Sequence, residues 1–252
     1  MWYNLPMIKY EKTCPVLGVD VAVTDMEKSI KFLTGNLSEN RGQYVCVSNS
    51  HTVVTAYDDS SYMDVQNGSI MVLPDGKPLS VVQKRKGFPD AEKVSGPDIM
   101  ALFMGEKYNQ YRHFFYGGTP EALEALHKHL TESNPEIQIA GMYSPPFRPL
   151  TEAEDADVVK QINDSKPDFI WVGLGAPKQE FWMANHKDKV SGIMLGVGAA
   201  FDFHAGTIKR APKWMQRCGL EWFFRLTQDP KRLFKRYLIT NTKFIFYNLV
   251  GR

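Results

Sequence analysis

Asp168-Phe169-Ile170-Trp171-Val172-Gly173-Leu174-Gly175-Ala176-Pro177-Lys178-Gln179-Glu180 is an apolar, β-favouring run that ends in a glycine-bearing turn and passes into helix formers. An apolar run without alternation reads as a strand buried on both faces, and such strands belong to parallel sheets whose connections are helices. The same order returns one unit later. Ser191 to Val197 is the strand, and Gly196-Val197-Gly198-Ala199-Ala200-Phe201-Asp202 is the turn that follows it. In each turn, backbone N–H groups and the start of a helix can face an anion. Neither is a complete G-x-G-x-x-G fingerprint or a Walker loop, so each alone reads equally as a tight turn or a ligand cradle.

Working outward, residues 16–23, 44–47, 69–73, 113–116 and 137–140 read as further strands. Helices are expected over 25–37, capped by Thr24 or Asp25, over 51–66, and over 121–130 with Thr119 as N-cap and Pro120 at the first helical position. Another opens at the capping-box spacing Thr151 to Glu154 and runs to about Ser165. The pattern predicts an α/β fold: a mostly parallel, Rossmann-like sheet with helices on both faces. Ligands of such sheets lie at the carboxyl ends of the strands, so the loops after residues 47, 73, 116, 140, 174 and 197 are expected to line one cleft. Residues 1–219 form the core, as one body or as two lobes near 1–110 and 111–219, and 220–252 form a basic, amphipathic helical appendage.

With 252 residues, 43% hydrophobic and 23% charged, the chain can bury a sizeable core and does not read as disordered. Cys14, Cys46 and Cys218 are odd in number and far apart, which argues for reduced thiols rather than a disulfide framework or a zinc site. The N-terminus lacks a basic segment leading into an apolar one, and no window approaches the ~18 apolar residues of a spanning helix; a cytoplasmic location is expected. From Lys209 to Arg252 there are 11 basic residues against Glu221 and Asp229, whereas the preceding residues hold 19 basic and 26 acidic. After Pro230, Leu233, Phe234, Tyr237, Leu238, Phe244, Ile245 and Leu249 fall near a helical stripe beside Lys231, Arg232, Lys235, Arg236 and Lys243. Such a helix suits an anionic membrane surface, or packs on its own domain with a solvated basic face. Nucleic acid is disfavoured, because the basic residues are confined to one segment of an otherwise acidic chain. Asp155-Ala156-Asp157 imitates a metal-binding DxD but sits in the acidic first turn of a helix, and His204 is a weaker candidate still; no metal site is expected.

Pro74-Asp75-Gly76, Val94-Ser95-Gly96-Pro97-Asp98, Gly173 to Glu180, and Arg210-Ala211-Pro212 with Gly219-Leu220-Glu221-Trp222-Phe223-Phe224-Arg225-Leu226 follow one another in the order and spacing of a known family. From about Leu17 to Tyr237 the sequence resembles the WecG/TagA/CpsF glycosyltransferases, glycosyltransferase family 26. The resemblance implies inverting transfer, without metal or other cofactor, from a UDP-sugar to an undecaprenyl-diphosphate-linked saccharide. The donor in that family is often UDP-N-acetylmannosamine or its uronic acid. Members serve cell-surface polysaccharide synthesis at the inner face of the cytoplasmic membrane. A homo-oligomer is left open.

By the same matching, Asp75 is the expected base, which takes the acceptor hydroxyl proton, and Asn49 orients acceptor or sugar. Gly173, Gly175, Gly198 and Gln179 lie on the diphosphate side. Tyr143 stacks on uracil and Asp202 meets its edge. Arg225, Arg232 and Arg236 fold over the cleft to neutralise the leaving diphosphate. Val47 stands where the family commonly has threonine. Lys93 stands where it usually has arginine, keeping the charge but losing the fork for acceptor or sugar. Read without the resemblance, Asp75 is a turn residue, Asn49 and Asp202 are caps, Tyr143 is packing and Gln179 is an exposed first-turn residue. Two rival readings are a dinucleotide-dependent oxidoreductase, which lacks the complete fingerprint and ribose-binding acid, and a non-catalytic basic adaptor, which rests on the tail alone.

Overall fold

The computed structural model describes residues 7–250. In chain order the elements of the first half are β1 (Thr13–Val16), β2 (Val19–Ala22), α1 (Met26–Gly35), β3 (Tyr44–Ser48), α2 (Ser50–Asp58), α3 (Ser60–Gly68), β4 (Met71–Pro74), α4 (Lys77–Arg85) and α5 (Gly96–Phe103). They continue as β5 (Arg112–Gly117), α6 (Pro120–Ser133), β6 (Gln138–Tyr143), α7 (Glu152–Asp164), β7 (Phe169–Gly173), α8 (Lys178–Asn185), β8 (Ile193–Gly196) and α9 (Ala200–His204). The chain closes with α10 (Lys213–Cys218), α11 (Glu221–Gln228) and α12 (Pro230–Leu249).

The strands form one eight-stranded sheet in the order β1-β2-β4-β3-β8-β7-β5-β6. Every pairing is parallel except the β1–β2 edge. Strands from both sides of residue 110 share the sheet, because β8 pairs with β3. Alternate residues of β7 show why its sequence carries no polar positions. Phe169 and Trp171 enter one core layer with Phe103, Leu126 and Phe201, while Ile170 and Val172 enter the opposite layer with Val158, Ile162 and Met183.

Two expected elements divide. Residues 16–23 are not one strand but parts of a hairpin, turned at Leu17 and Gly18, both at positive φ. The helix expected over 51–66 breaks at Asp59, which ends α2 and caps α3 by accepting from Ser61 and Tyr62 N–H. The caps at Asp25, Thr119 and Thr151, the last with its reciprocal Glu154 bond, form as read.

The tail stripe also splits. Leu233, Thr240 and Phe244 are buried, and α12 is pinned to α2 by Lys243 and Tyr247 on Asp58 and by Tyr247 against Tyr57. Phe234, Leu238, Ile245 and Leu249 face outward and are more than half exposed. The appendage therefore packs on its own domain and still presents a second apolar face. No helix among the described residues is long and apolar enough to cross a membrane.

One core group is expected to make the fold acid-sensitive. His113, buried beside Phe103 and Phe169, accepts at Nδ1 from Trp171 Nε1–H at 3.2 Å, and burial pushes its pKa down to about 4. The unfolded chain takes up a proton near pH 6.5 that the folded chain refuses, so this contribution to stability is present above that range and is lost as pH falls from 6.5 to about 4. The loss is on the order of 3 kcal/mol. His113→Gln is therefore expected to show a distinctly smaller drop in melting temperature between pH 7 and pH 4.5 than the parent; equal drops would show that His113 does not carry the effect.

Candidate active site

A cavity of about 450 Å³ opens at the carboxyl ends of the four central strands. Asn49 to Thr52 line it after β3, Asp75 to Pro78 after β4, Leu174 to Ala176 with Gln179 after β7, and Gly196 to Ala200 around the end of β8. The appendage supplies the roof through Glu221, Trp222, Arg225, Arg236, Tyr237 and Thr240. The loops after β5 and β6 lie elsewhere, because those strands end the sheet order. With the start of α6 they line a separate shallow hollow through Pro120, Leu123, Gly141 and Ser144. Four of the six expected loops thus converge.

Asp75 follows β4 directly, and its N–H donates to Ser48 O at 2.7 Å, which ties the loop to the neighbouring strand. Half-buried in the cavity, its carboxyl is pushed up to about 6: desolvation outweighs the opposing pull of Lys93 and Arg225, and Glu221 and Asp98 add to the rise. Asn49 is both things its sequence position allowed. Its Oδ1 caps α2 by accepting from His51 N–H at 2.9 Å and Thr52 N–H at 3.4 Å, which leaves, among the described contacts, the Nδ2 end for a ligand. Lys93 also lines the cavity and is ion-paired with Glu221.

Gln179 is buried rather than exposed. Its Oε1 accepts from Gly175 N–H at 3.1 Å and Gly198 N–H at 3.0 Å, while its Nε2 donates to the buried Glu180 at 2.8 Å. Both glycines have positive φ, 79° and 56°, which lets the two loops curl toward this one side chain. The two amides expected to face a diphosphate are thereby spent on a clasp that holds the cavity wall in shape. Among the described residues, anion-attracting features of the cavity include the start of α8, which has no side-chain cap, and the arginines above it.

Arg225 reaches over the cavity with its guanidinium 5.5 Å from the Phe203 ring centroid, and Arg236 lines it from α12. The Arg232 side chain lies outside the described residues. Three expected site residues are not in the cavity. Tyr143 stacks on Tyr116 at 5.8 Å, in a column that continues to Trp182 and His186. Asp202 lies on α9 and engages Thr207, and Gly173 is covered by Phe201 and Gly117. Asp155 is occupied by His186, and His204 by the carbonyl of Pro97. The sequence reading gave no role to Glu221, Arg210 or His51. The signal for the first was available, as a rare acid in a strongly basic tail.

A parallel α/β sheet with a raised-pKa carboxylate in the cavity at its carboxyl ends, roofed by guanidinium groups, brings a candidate proton acceptor and anion-attracting groups into one site, the combination that transfer chemistry calls for. Residues 14–252 match the glycosyl transferase WecG/TagA/CpsF family. Relatives from Staphylococcus aureus strains MW2 and NCTC 8325 / PS 47, each named N-acetylglucosaminyldiphosphoundecaprenol N-acetyl-beta-D-mannosaminyltransferase, are 31% identical over 223 residues, covering 86% of this chain and 85% of theirs. The chain belongs to the WecG/TagA/CpsF family and is a glycosyltransferase. The oxidoreductase and adaptor readings fall with that finding.

Proposed function

We propose that this glycosyltransferase moves an N-acetylhexosamine residue, with inversion, from a UDP-sugar to an undecaprenyl-diphosphate-linked saccharide in cell-surface polysaccharide synthesis. The observation that carries the reading is Asp75 at the end of β4, facing the same cavity as Lys93, Arg225 and Arg236. The acceptor hydroxyl oxygen attacks the anomeric carbon, its proton passes to Asp75, and the bond to UDP breaks with its electron pair leaving on the diphosphate. Arg225 and Arg236, with the matched Arg232, receive that charge. The names of the Staphylococcus aureus relatives favour N-acetylmannosamine as the sugar moved and N-acetylglucosaminyl-diphospho-undecaprenol as the acceptor.

The outward apolar face of α12, flanked by the exposed Lys231 and Lys235, lies against the anionic inner face of the cytoplasmic membrane, where the lipid acceptor resides. Incubation with a panel of UDP-sugars and a short-chain lipid-diphosphate N-acetylglucosamine tests the reaction. UDP release is expected with UDP-N-acetylmannosamine, and its absence with every UDP-sugar would refute the donor class. Because Asp75 must be ionised to act, kcat/KM is expected to rise with pH through a midpoint near 6; a flat profile from pH 5 to 8 would remove Asp75 from the chemistry.

A further inference from the structure

Lys93 already has an anion in this cavity, and the anion comes from the appendage. Glu221, the first residue of α11, accepts from the Lys93 ammonium at Oε2, while its Oε1 lies 3.5 Å from Nε of Arg210. Arg210 in turn bonds Asp98 at 2.7 Å and Ser95 at 3.4 Å. A connected row of charges thus joins the segment entering α5 to α10's approach and to α11. Lys93 and Glu221 both line the cavity that holds Asp75. A wall built only to receive a diphosphate would carry no carboxylate there, since it repels the ligand.

We infer that Glu221 is a positioning residue for the reaction: its carboxylate holds Lys93 in place in the cavity it shares with Asp75 and so ties the seating of α11 to the state of the base. This rests on the reading of Asp75 as base. The charges that bear on Asp75 come from three places: Lys93 before α5, Asp98 in α5 with Arg210 behind it, and Glu221 and Arg225 in α11. Lys93 and Arg225 favour the ionised carboxylate, and Glu221 and Asp98 favour the protonated one. Glu221→Gln removes a negative charge and leaves Lys93 uncompensated, and both changes act on Asp75 in the same direction. Lys93→Met acts in the opposite one. Because Glu221 bears on Asp75 by its own charge as well as through Lys93, the positioning role is read from the double variant. Glu221→Gln moves the titration of Asp75 less in a Lys93→Met background than in the parent, whereas a residue acting by its own charge alone moves it equally in both.

The test uses the full chain labelled with 13C at aspartate carboxyls, the Asp75 resonance being identified by its loss in Asp75→Asn, together with kcat/KM profiles. Titration of Asp75 is expected to move down by roughly one pH unit in Glu221→Gln and upward in Lys93→Met, with Glu221→Asp close to the parent. The acid limb of kcat/KM follows each shift. An unmoved midpoint in Glu221→Gln and in Lys93→Met, in proteins that still melt cooperatively, would overturn the inference. The two readings fail separately. Turnover retained in Asp75→Asn removes the base and this inference with it, whereas an inactive Asp75→Asn with unmoved titrations removes only the role of Glu221.

Discussion

Asp75→Asn is expected to lower kcat by about a hundred- to ten-thousandfold, the range that a positioned general base contributes. Asparagine keeps the shape of the side chain and loses only the capacity to take a proton, so UDP should bind with unchanged affinity. Stability gives a second readout of opposite sign. A carboxyl whose pKa is pushed up to about 6 destabilises the folded state wherever it is ionised, because the unfolded chain carries that charge at no desolvation cost. At pH 7.5 the neutral variant is therefore expected to melt at the same temperature as the parent or higher. Loss of turnover with a gain in melting temperature is the mark of a functional site held at the expense of stability. Turnover within a few-fold of the parent would exclude Asp75 as the base, and a collapsed melting curve would make it a structural residue.

The triple variant Phe234→Ser, Leu238→Ser, Ile245→Ser is expected to weaken partitioning onto anionic liposomes by about a hundredfold or more. Each side chain is 58–59% exposed on one face of α12, and inserting such a group into the acyl boundary is worth roughly 1–2 kcal/mol. None of the three lines the cavity, and the inward residues Leu233, Thr240 and Phe244 that seat α12 are left in place. Transfer to a long-chain acceptor in vesicles is expected to fall in parallel, while transfer to a short-chain acceptor in solution stays within a few-fold. Co-sedimentation and the two assays measure this directly. Unaltered sedimentation would assign the apolar face to something other than lipid.

The parallel layout was legible because burial on both faces removes polar residues from the central strands, as in β3 and β7, and because glycine turns and capping residues punctuate them. The edge hairpin was hidden because its turn contains Leu17 at φ 51°, a conformation for which leucine gives no signal, so Val16 to Val23 read as one apolar run. Asp59 carries the signature of a cap, but an aspartate pair also reads as an exposed helix face.

At the site, the convergence of Asn49, Asp75 and Gln179 followed from motifs placed after parallel strands, and that of Arg225 and Arg236 from the family resemblance. Their detailed contacts did not follow from it. Local spacing shows that Gln179 opens a helix, and only packing shows that the side chain turns inward to clasp two loops. Tyr143 and Asp202 were matched by motif, yet sheet order sends β6 to the edge and turns Tyr143 onto Tyr116. The Lys93–Glu221 pair spans 128 residues of sequence and exists only because the appendage folds back over the sheet.

A crystal structure with UDP bound tests the central claim most directly. The expected result places the diphosphate in the cavity above β3 and β8, within hydrogen-bonding reach of Arg225 or Arg236, with Asp75 facing the site where the sugar's anomeric carbon attaches. UDP seated instead in the hollow beside α6 and β6, with Asp75 and both arginines out of reach, would contradict it.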